Sequence, residues 1–288
     1  MPSSAARDIS YAHSARTRAG RIVIRAMENS TGRLRLIRRA RGYETDMAGG
    51  QGFWDVMVAR YGLSLDIVSG GLEHIPASGP VIVIANHPYG ILDGMMLGHI
   101  LSAARGDFRI LANRVFGAAD ALQSAILPIS FDQTKQAVAM NLKTRNAALS
   151  YLGEGGAIGI FPGGTVSTAA TPLGCPLDPG WRTFTAKLVA KSGARVVPVY
   201  FGGHTSRLFQ IASHVHPTLR MGLLIQEFKK RTDTPVRVAI GAPLDPAELE
   251  ARRKDPRAMM DFLRRSTYEL APEPRIRAQC AALGHDFG

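Results

Sequence analysis

The feature that most limits the fold of this 288-residue chain is the character of its apolar runs. The longest, such as Val81–Ala85 and Val196–Phe201, are short, rich in β-branched residues and bounded by Gly or Pro. Runs of that kind are buried strands, and they fall far short of the roughly 18 to 20 apolar residues of a membrane-spanning helix. Strand-like segments occupy Leu65–Val68, Val81–Ala85, Ile110–Ala112, Ala125–Ile129, Ala157–Phe161, Arg195–Phe201 and Val236–Ile240. Helical spacing marks Phe53–Tyr61, Ile91–Ala104, Thr134–Leu152, Arg182–Lys191 and the region Pro246–Leu270, while Thr171–Gly180 is a Pro-rich loop. Strands alternating with helices predict an α/β fold, a mixed, largely parallel central sheet flanked by helices on both sides. The composition, 45% hydrophobic and 20% charged, excludes a disordered chain.

Charge is the anomaly. There are 35 Lys+Arg against 23 Asp+Glu, a formal net charge of +12, which calls for an anionic partner. Arg16–Arg41 holds nine arginines and one acid, Glu28, and so carries two thirds of that surplus. Ile22, Val23, Ile24, Met27, Leu34, Leu36 and Ile37 are interleaved with the arginines. The pattern predicts one or two short basic amphipathic helices, broken near Ser30–Gly32. Such helices suit an anionic membrane surface, and the bland alternative is a solvated arm packed on the domain. Nucleic acid is not the expected partner, because aromatic residues that stack on bases are missing from the segment. A Gly-rich break at Met47–Gly52 divides the chain into a basic helical arm, 1–46, and a main domain, 47–288. Met1–Ser14 contains no apolar stretch of signal-peptide length. The expectation is a cytoplasmic protein, peripheral on the inner face of the cytoplasmic membrane. Cys175 and Cys280 form no C-x-x-C pair, so reduced thiols and no metal are expected.

Two constellations carry chemistry. Asn86-His87-Pro88-Tyr89-Gly90-Ile91-Leu92-Asp93 follows a strand and opens a helix, the place where α/β proteins put reactive groups. Histidine is a neutral-pH base, and a carboxylate against one ring nitrogen fixes its tautomer and sharpens the other as a base. On a continuous helix a six-residue step would put His87 and Asp93 on different faces. Pro88 and Gly90 supply the turn that lets them meet. The bland alternative is a helix-capping Asp beside a half-buried His. The second constellation, Phe161-Pro162-Gly163-Gly164-Thr165-Val166-Ser167, also follows a strand. Its glycines and small hydroxyl residues expose backbone N–H groups able to hold an anion. His204 and the His214-x-His216 pair are weaker: the first can line a site, and the second lacks a third metal ligand.

Together these motifs resemble the glycerolipid acyltransferase superfamily, which contains bacterial 1-acylglycerol-3-phosphate acyltransferases. The closest likeness is to its hemolysin-like lysophospholipid acyltransferase branch. That family's N-H-x-x-x-x-D motif is matched by Asn86-His87 and Asp93, and its F-P-E-G-T-R-S motif by Phe161–Ser167. A weaker strand motif corresponds to Ile126–Asp132 and a V-P-V strand to Val197–Val199. The likeness spans roughly Ile75 to Leu244, and the basic arm lies outside it. Here five residues separate His from Asp, one more than the family's usual four. In addition, the motif's Glu and Arg, which the resemblance implies hold the acceptor's phosphate, are replaced by Gly163 and Val166. Valine cannot make a bidentate phosphate contact, so the candidate acceptors are an amino-acid-headed lyso-aminolipid or a lysophospholipid. Arg114, Arg182 and Lys187 are other cations able to take over.

The resemblance implies an O-acyltransferase that moves an acyl group from acyl-CoA or acyl carrier protein to a lysolipid hydroxyl, with no cofactor. It implies His87 as general base and Asp93 as its orienting partner. Asn86, Gly90, Arg114, Phe161, Pro162, Gly163, Gly164, Thr165 and Ser167 are the implied substrate contacts, and Met95–Leu97 a candidate acyl groove. The alternatives are a lysophosphatidic acid acyltransferase, a hydrolase, and a non-catalytic membrane-binding protein. The hydrolase lacks a G-x-S-x-G elbow.

Overall fold

The structure is a computed structural model that describes residues 9–15, 17–113, 122, 124–130 and 134–282. Its strands are β1 (Ser64–Gly70), β2 (Val81–Ala85), β3 (Phe108–Asn113), β4 (Ile126–Ile129), β5 (Ala157–Ile160), β6 (Thr168–Ala169), β7 (Pro176–Leu177), β8 (Arg195–Phe201) and β9 (Pro235–Ile240). Seven of them form one sheet in the order β1-β9-β8-β2-β5-β3-β4. From β8 to β4 every neighbour is parallel, and β1 is parallel to β9. The antiparallel β8–β9 pairing is the single reversal. The sheet is therefore mixed and largely parallel, as the strand–helix alternation predicts.

The apolar runs are buried on both faces because helices cover both. Val81, Val83 and Ala85 of β2 point into one core with Met96, Leu97 and Phe228, while Ile82 and Ile84 point into the other with Leu152, Met260 and Leu263. This two-residue alternation inside a wholly apolar strand is the mark of a doubly covered sheet. Helix α4 (Phe53–Arg60) and α5 (Ile91–Ala104) contribute to the first core; α6 (Lys135–Gly153), α7 (Phe184–Ser192) and α11 (Pro256–Glu269) contribute to the second.

The structure refines the expected elements. The region Pro246–Leu270 is two helices, α10 (Pro246–Ala251) and α11, each begun by an Asp-Pro pair whose Asp side chain caps the first turn. The Pro-rich loop contains β7, which folds back antiparallel on β6; two-residue strands carry no readable period. Helices without a counterpart among the expected elements include α8 (Arg207–Val215) and α9 (Pro217–Arg231). His216 ends the first and caps the second, its Nδ1 accepting from Thr218 N at 3.0 Å, and His214 Nε2 lies 3.0 Å from the Ala169 carbonyl.

The basic segment forms α1 (Arg18–Thr31) and α2 (Arg33–Ala40), broken at Gly32, whose φ of +143° suits glycine. A short α3 (Tyr43–Ala48) follows, and α12 (Pro274–Ala282) ends the described chain. Ile24, Leu36 and Ala40 are buried, and α1 packs on α9. Arg39 bonds both oxygens of Asp233 at 2.9 and 2.5 Å. The opposite surface carries exposed Ile22, Val23 and Leu34 among exposed arginines. Among the described residues no helix is long and apolar enough to cross a membrane.

Candidate active site

The two motifs leave the sheet side by side, because β2 and β5 are parallel neighbours and each motif follows the carboxyl end of its strand. Asn86 closes the top of the neighbouring seam. Its Nδ2 donates to Phe201 O at 2.9 Å and its Oδ1 accepts from Phe201 N at 2.6 Å. Both ends of its amide are thus spent on the end of β8, and His87 is presented from a pinned residue.

His87 and Asp93 meet. His87 Nδ1 lies 3.0 Å from Asp93 Oδ2, with the ring N–H bent off the ideal line. Catalytic hydrogen bonds are often loose before substrate binds. The same Oδ2 accepts from Tyr89 N at 2.6 Å and Gly90 N at 3.0 Å, so Asp93 also holds the first turn of α5. Asp93 is fully buried, and that burial pushes its carboxyl above the ordinary value, opposed by His87 and the two amides. Gly90 makes the turn at φ +78°, ψ −120°, a conformation open to glycine alone. A Cβ there would stand 2.5 Å from the Tyr11 hydroxyl, which accepts from Ile91 N at 3.0 Å. The extra residue between His and Asp is absorbed in this turn.

With Nδ1 facing the carboxylate, His87 offers Nε2 to a substrate. The ring stacks on Phe161, centroids 4.2 Å apart and planes inclined by 27°. Phe161 thereby fixes the plane of the imidazole. In the loop after β5, Gly164 N donates to Phe161 O at 3.0 Å, whereas the N–H groups of Gly163 and Thr165 make no hydrogen bond among the described residues. They are free donors of this loop, as is Val166 N.

Sequence reasoning missed the residue that ties the two loops together. Asp178, fully buried, accepts from His87 N at 3.1 Å and Ser167 Oγ at 2.5 Å on Oδ1, and from Trp181 Nε1 at 3.0 Å on Oδ2. Ser167 N in turn donates to His87 O at 2.8 Å. Ser167 is therefore committed to the joint between motifs. A Cβ on Gly163 would come within 3.1 Å of Asp178 Oδ2, so the carboxylate packs directly on the loop. Arg220 was missed as well. Its Nη2 donates to Thr165 Oγ1 at 2.9 Å and Val166 O at 2.7 Å, and burial pushes its pKa down.

Other expected contacts are dispersed. Met95, Met96 and Leu97 are buried in the first core. Arg182 and Pro162 border a cavity of about 390 Å³ with Phe161, Ile129 and Phe184. Tyr89 and Arg231 border a second, of about 290 Å³. Arg114 lies outside the described residues, as do residues 131–132 of the weaker strand motif.

Several known proteins are similar to this chain. Lyso-glycine lipid O-acyltransferase of Phocaeicola vulgatus is 26% identical over 208 residues, covering 69% of this chain and 71% of that protein. The protein of the same name from Bacteroides thetaiotaomicron is 27% identical over 208 residues, covering 69% and 73%. Among solved structures, the 1-acyl-sn-glycerophosphate (LPA) acyltransferase PlsC of Thermotoga maritima aligns with a TM-score of 0.47 at 19% identity, over 91% of this chain and 86% of its own. The acyltransferase family model matches residues 48–273, a span that includes His87, Asp93, Asp178 and Arg220. The resemblance read from the two motifs therefore holds at the level of the family, and this chain belongs to the acyltransferases.

Proposed function

We propose that this enzyme is a lysolipid O-acyltransferase that moves a fatty acyl group from an acyl thioester to the free hydroxyl of the acceptor. The observation that carries the reading is the His87–Asp93 pair, with Nδ1 3.0 Å from the carboxylate and Nε2 left for the acceptor, beside a loop with free backbone donors. His87 takes the hydroxyl proton as the oxygen attacks the thioester carbonyl. Asp93 holds the tautomer and offsets the charge of the imidazolium. The N–H groups of Gly163 and Thr165 are the oxyanion contacts in this scheme. Collapse of the tetrahedral intermediate expels the thiolate, which receives the proton back from His87. Every atom comes from the two substrates, so no cofactor enters the balance.

The donor in this reading is acyl-CoA or acyl carrier protein, both anionic and suited to a chain of net charge +12. The acceptor is an amino-acid-headed lysolipid, a choice supported by the names of the two relatives and by the uncharged Gly163 and Val166. The exposed face of α1 and α2 is the docking surface for an anionic membrane, which would hold the enzyme peripherally on the inner face of the cytoplasmic membrane. The test is product analysis after incubation with a labelled acyl thioester and a panel of lysolipids. The expected product is an acylated lipid. Release of free fatty acid alone would replace this reading with a hydrolase.

A further inference from the structure

We infer that Arg220 binds the anionic group of the acceptor's headgroup, delivering from α9 a charge that the loop after β5 does not itself contain. The inference rests on the lysolipid acyltransferase reading and adds the residue that selects the acceptor. Residues Phe161–Ser167 include no charged side chain. Arg220 lies across that loop, bonded through Nη2 to the Thr165 hydroxyl and the Val166 carbonyl.

What makes this arginine unusual is the want of a counter-charge. Among the described residues no carboxylate lies within ion-pair distance of it, and its buried Nε has no hydrogen-bond partner. It sits in the first turn of α9, a turn without acidic residues, at the positive end of the helix dipole. Burial, absence of an anion and the dipole all oppose a cation there. Its other neighbour is the Phe209 ring, 5.9 Å from the guanidinium carbon. Holding one carbonyl and one hydroxyl needs only a neutral donor. An anionic oxygen received by Nη1, which makes no hydrogen bond among the described residues, meets all three costs at once.

The position is right for an acceptor. Val166 adjoins the Gly90 turn, since a Cβ on Gly90 would stand 3.3 Å from Val166 Cγ2. The next residue, Ser167, is bonded to the backbone of His87. An anion on Arg220 and a hydroxyl at His87 are therefore held by the same short loop. The carboxylate of an amino-acid headgroup is the source we assign; the phosphates of the donor are the rival source.

The test compares a lysolipid with a free headgroup carboxylate and its carboxamide analogue, in wild type, Arg220→Gln and Arg220→Lys. Equilibrium binding is measured by calorimetry below the micelle threshold, and steady-state kinetics with both donor and acceptor varied. Loss of a charge-assisted contact predicts an acceptor Kd and KM raised about 30-fold in Arg220→Gln, with donor KM changed less than about threefold. The wild-type preference for carboxylate over carboxamide collapses in Arg220→Gln and falls about tenfold in Arg220→Lys. Where Arg220→Gln fails to fold, Arg220→Lys decides. A retained preference, or a raised donor KM in its place, overturns the assignment. The binding arm needs no turnover, so absence of acyl transfer in wild type counts against the functional reading alone.

Discussion

Asp93 does two jobs with one oxygen, orienting His87 and capping its own helix, and the two jobs separate by mutation. In Asp93→Asn the amide oxygen can still accept from Tyr89 and Gly90, but the imidazole loses its anionic partner. We predict a kcat lowered by about 10²–10⁴-fold with the fold retained, read by steady-state kinetics beside circular dichroism. Stability carries a second signature. Burial holds the Asp93 carboxyl above its ordinary 3.8, so the folded state binds this proton more tightly than the unfolded chain does. The group's contribution is greatest below that value and falls as pH rises through the folded one. Asparagine has no such titration. The melting-temperature difference, Asp93→Asn minus wild type, should therefore rise over the pH range above about 3.8. A fall over that range would contradict the burial. His87 and Asp93 were legible in the sequence because both ends of the contact and the turn between them lie within seven residues. Asp178 and Arg220 were not, since the first is 91 residues from His87 and the second 55 from Thr165, and no local pattern marks either.

At the scale of elements, the site depends on two loops held in register. Gly90→Ala forces a side chain into φ +78° and against the Tyr11 hydroxyl. It should lower stability by about 1–3 kcal/mol in denaturant titration and disable catalysis with it, because the turn is what brings His87 to Asp93. Asp178→Ala leaves the Ser167 hydroxyl, the Trp181 indole and the His87 amide without their acceptor. A loss of about 3 kcal/mol is predicted, together with a lower kcat in the protein that remains folded. An unchanged kcat would show that the joint serves stability only. The strands were readable because doubly buried strands are unbroken apolar runs. Helices α8 and α9 were not: the amphipathic face of α9 is interrupted by Arg220 and Glu227, which turn inward to bond the Thr165–Val166 loop and Ser206. Polar residues bonded inside the protein disguise a helix from any reading that expects them outside.

Across the whole molecule, the basic segment is amphipathic in two directions. One face holds Ile24, Leu36 and Ala40 in the core, with Glu28 bonded to Ser10 Oγ at 2.6 Å and Tyr11 N at 2.5 Å. Tyr11 reaches on to Ile91, so the segment touches the turn that positions His87. Removing residues 1–41 would strip core side chains and should lower the melting temperature. The outer face is better probed by Arg18→Glu, Arg21→Glu and Arg35→Glu together, all exposed positions. We predict an unchanged melting temperature and weaker sedimentation with anionic vesicles, a difference that vanishes near 1 M salt, where the Debye length is about 3 Å. Undiminished vesicle binding at low salt would refute the docking role. The charge was legible as an arm, yet its packed face was hidden, because the sequence does not say which apolar residues meet a domain and which meet a bilayer. The central claim concerns the base between β2 and α5. Its most direct measurement is transfer of a labelled acyl group from a thioester to a lysolipid by wild type and by His87→Ala. A fall of about 10³-fold or more in kcat with the fold intact is the predicted result, and transfer undiminished in the variant would contradict it.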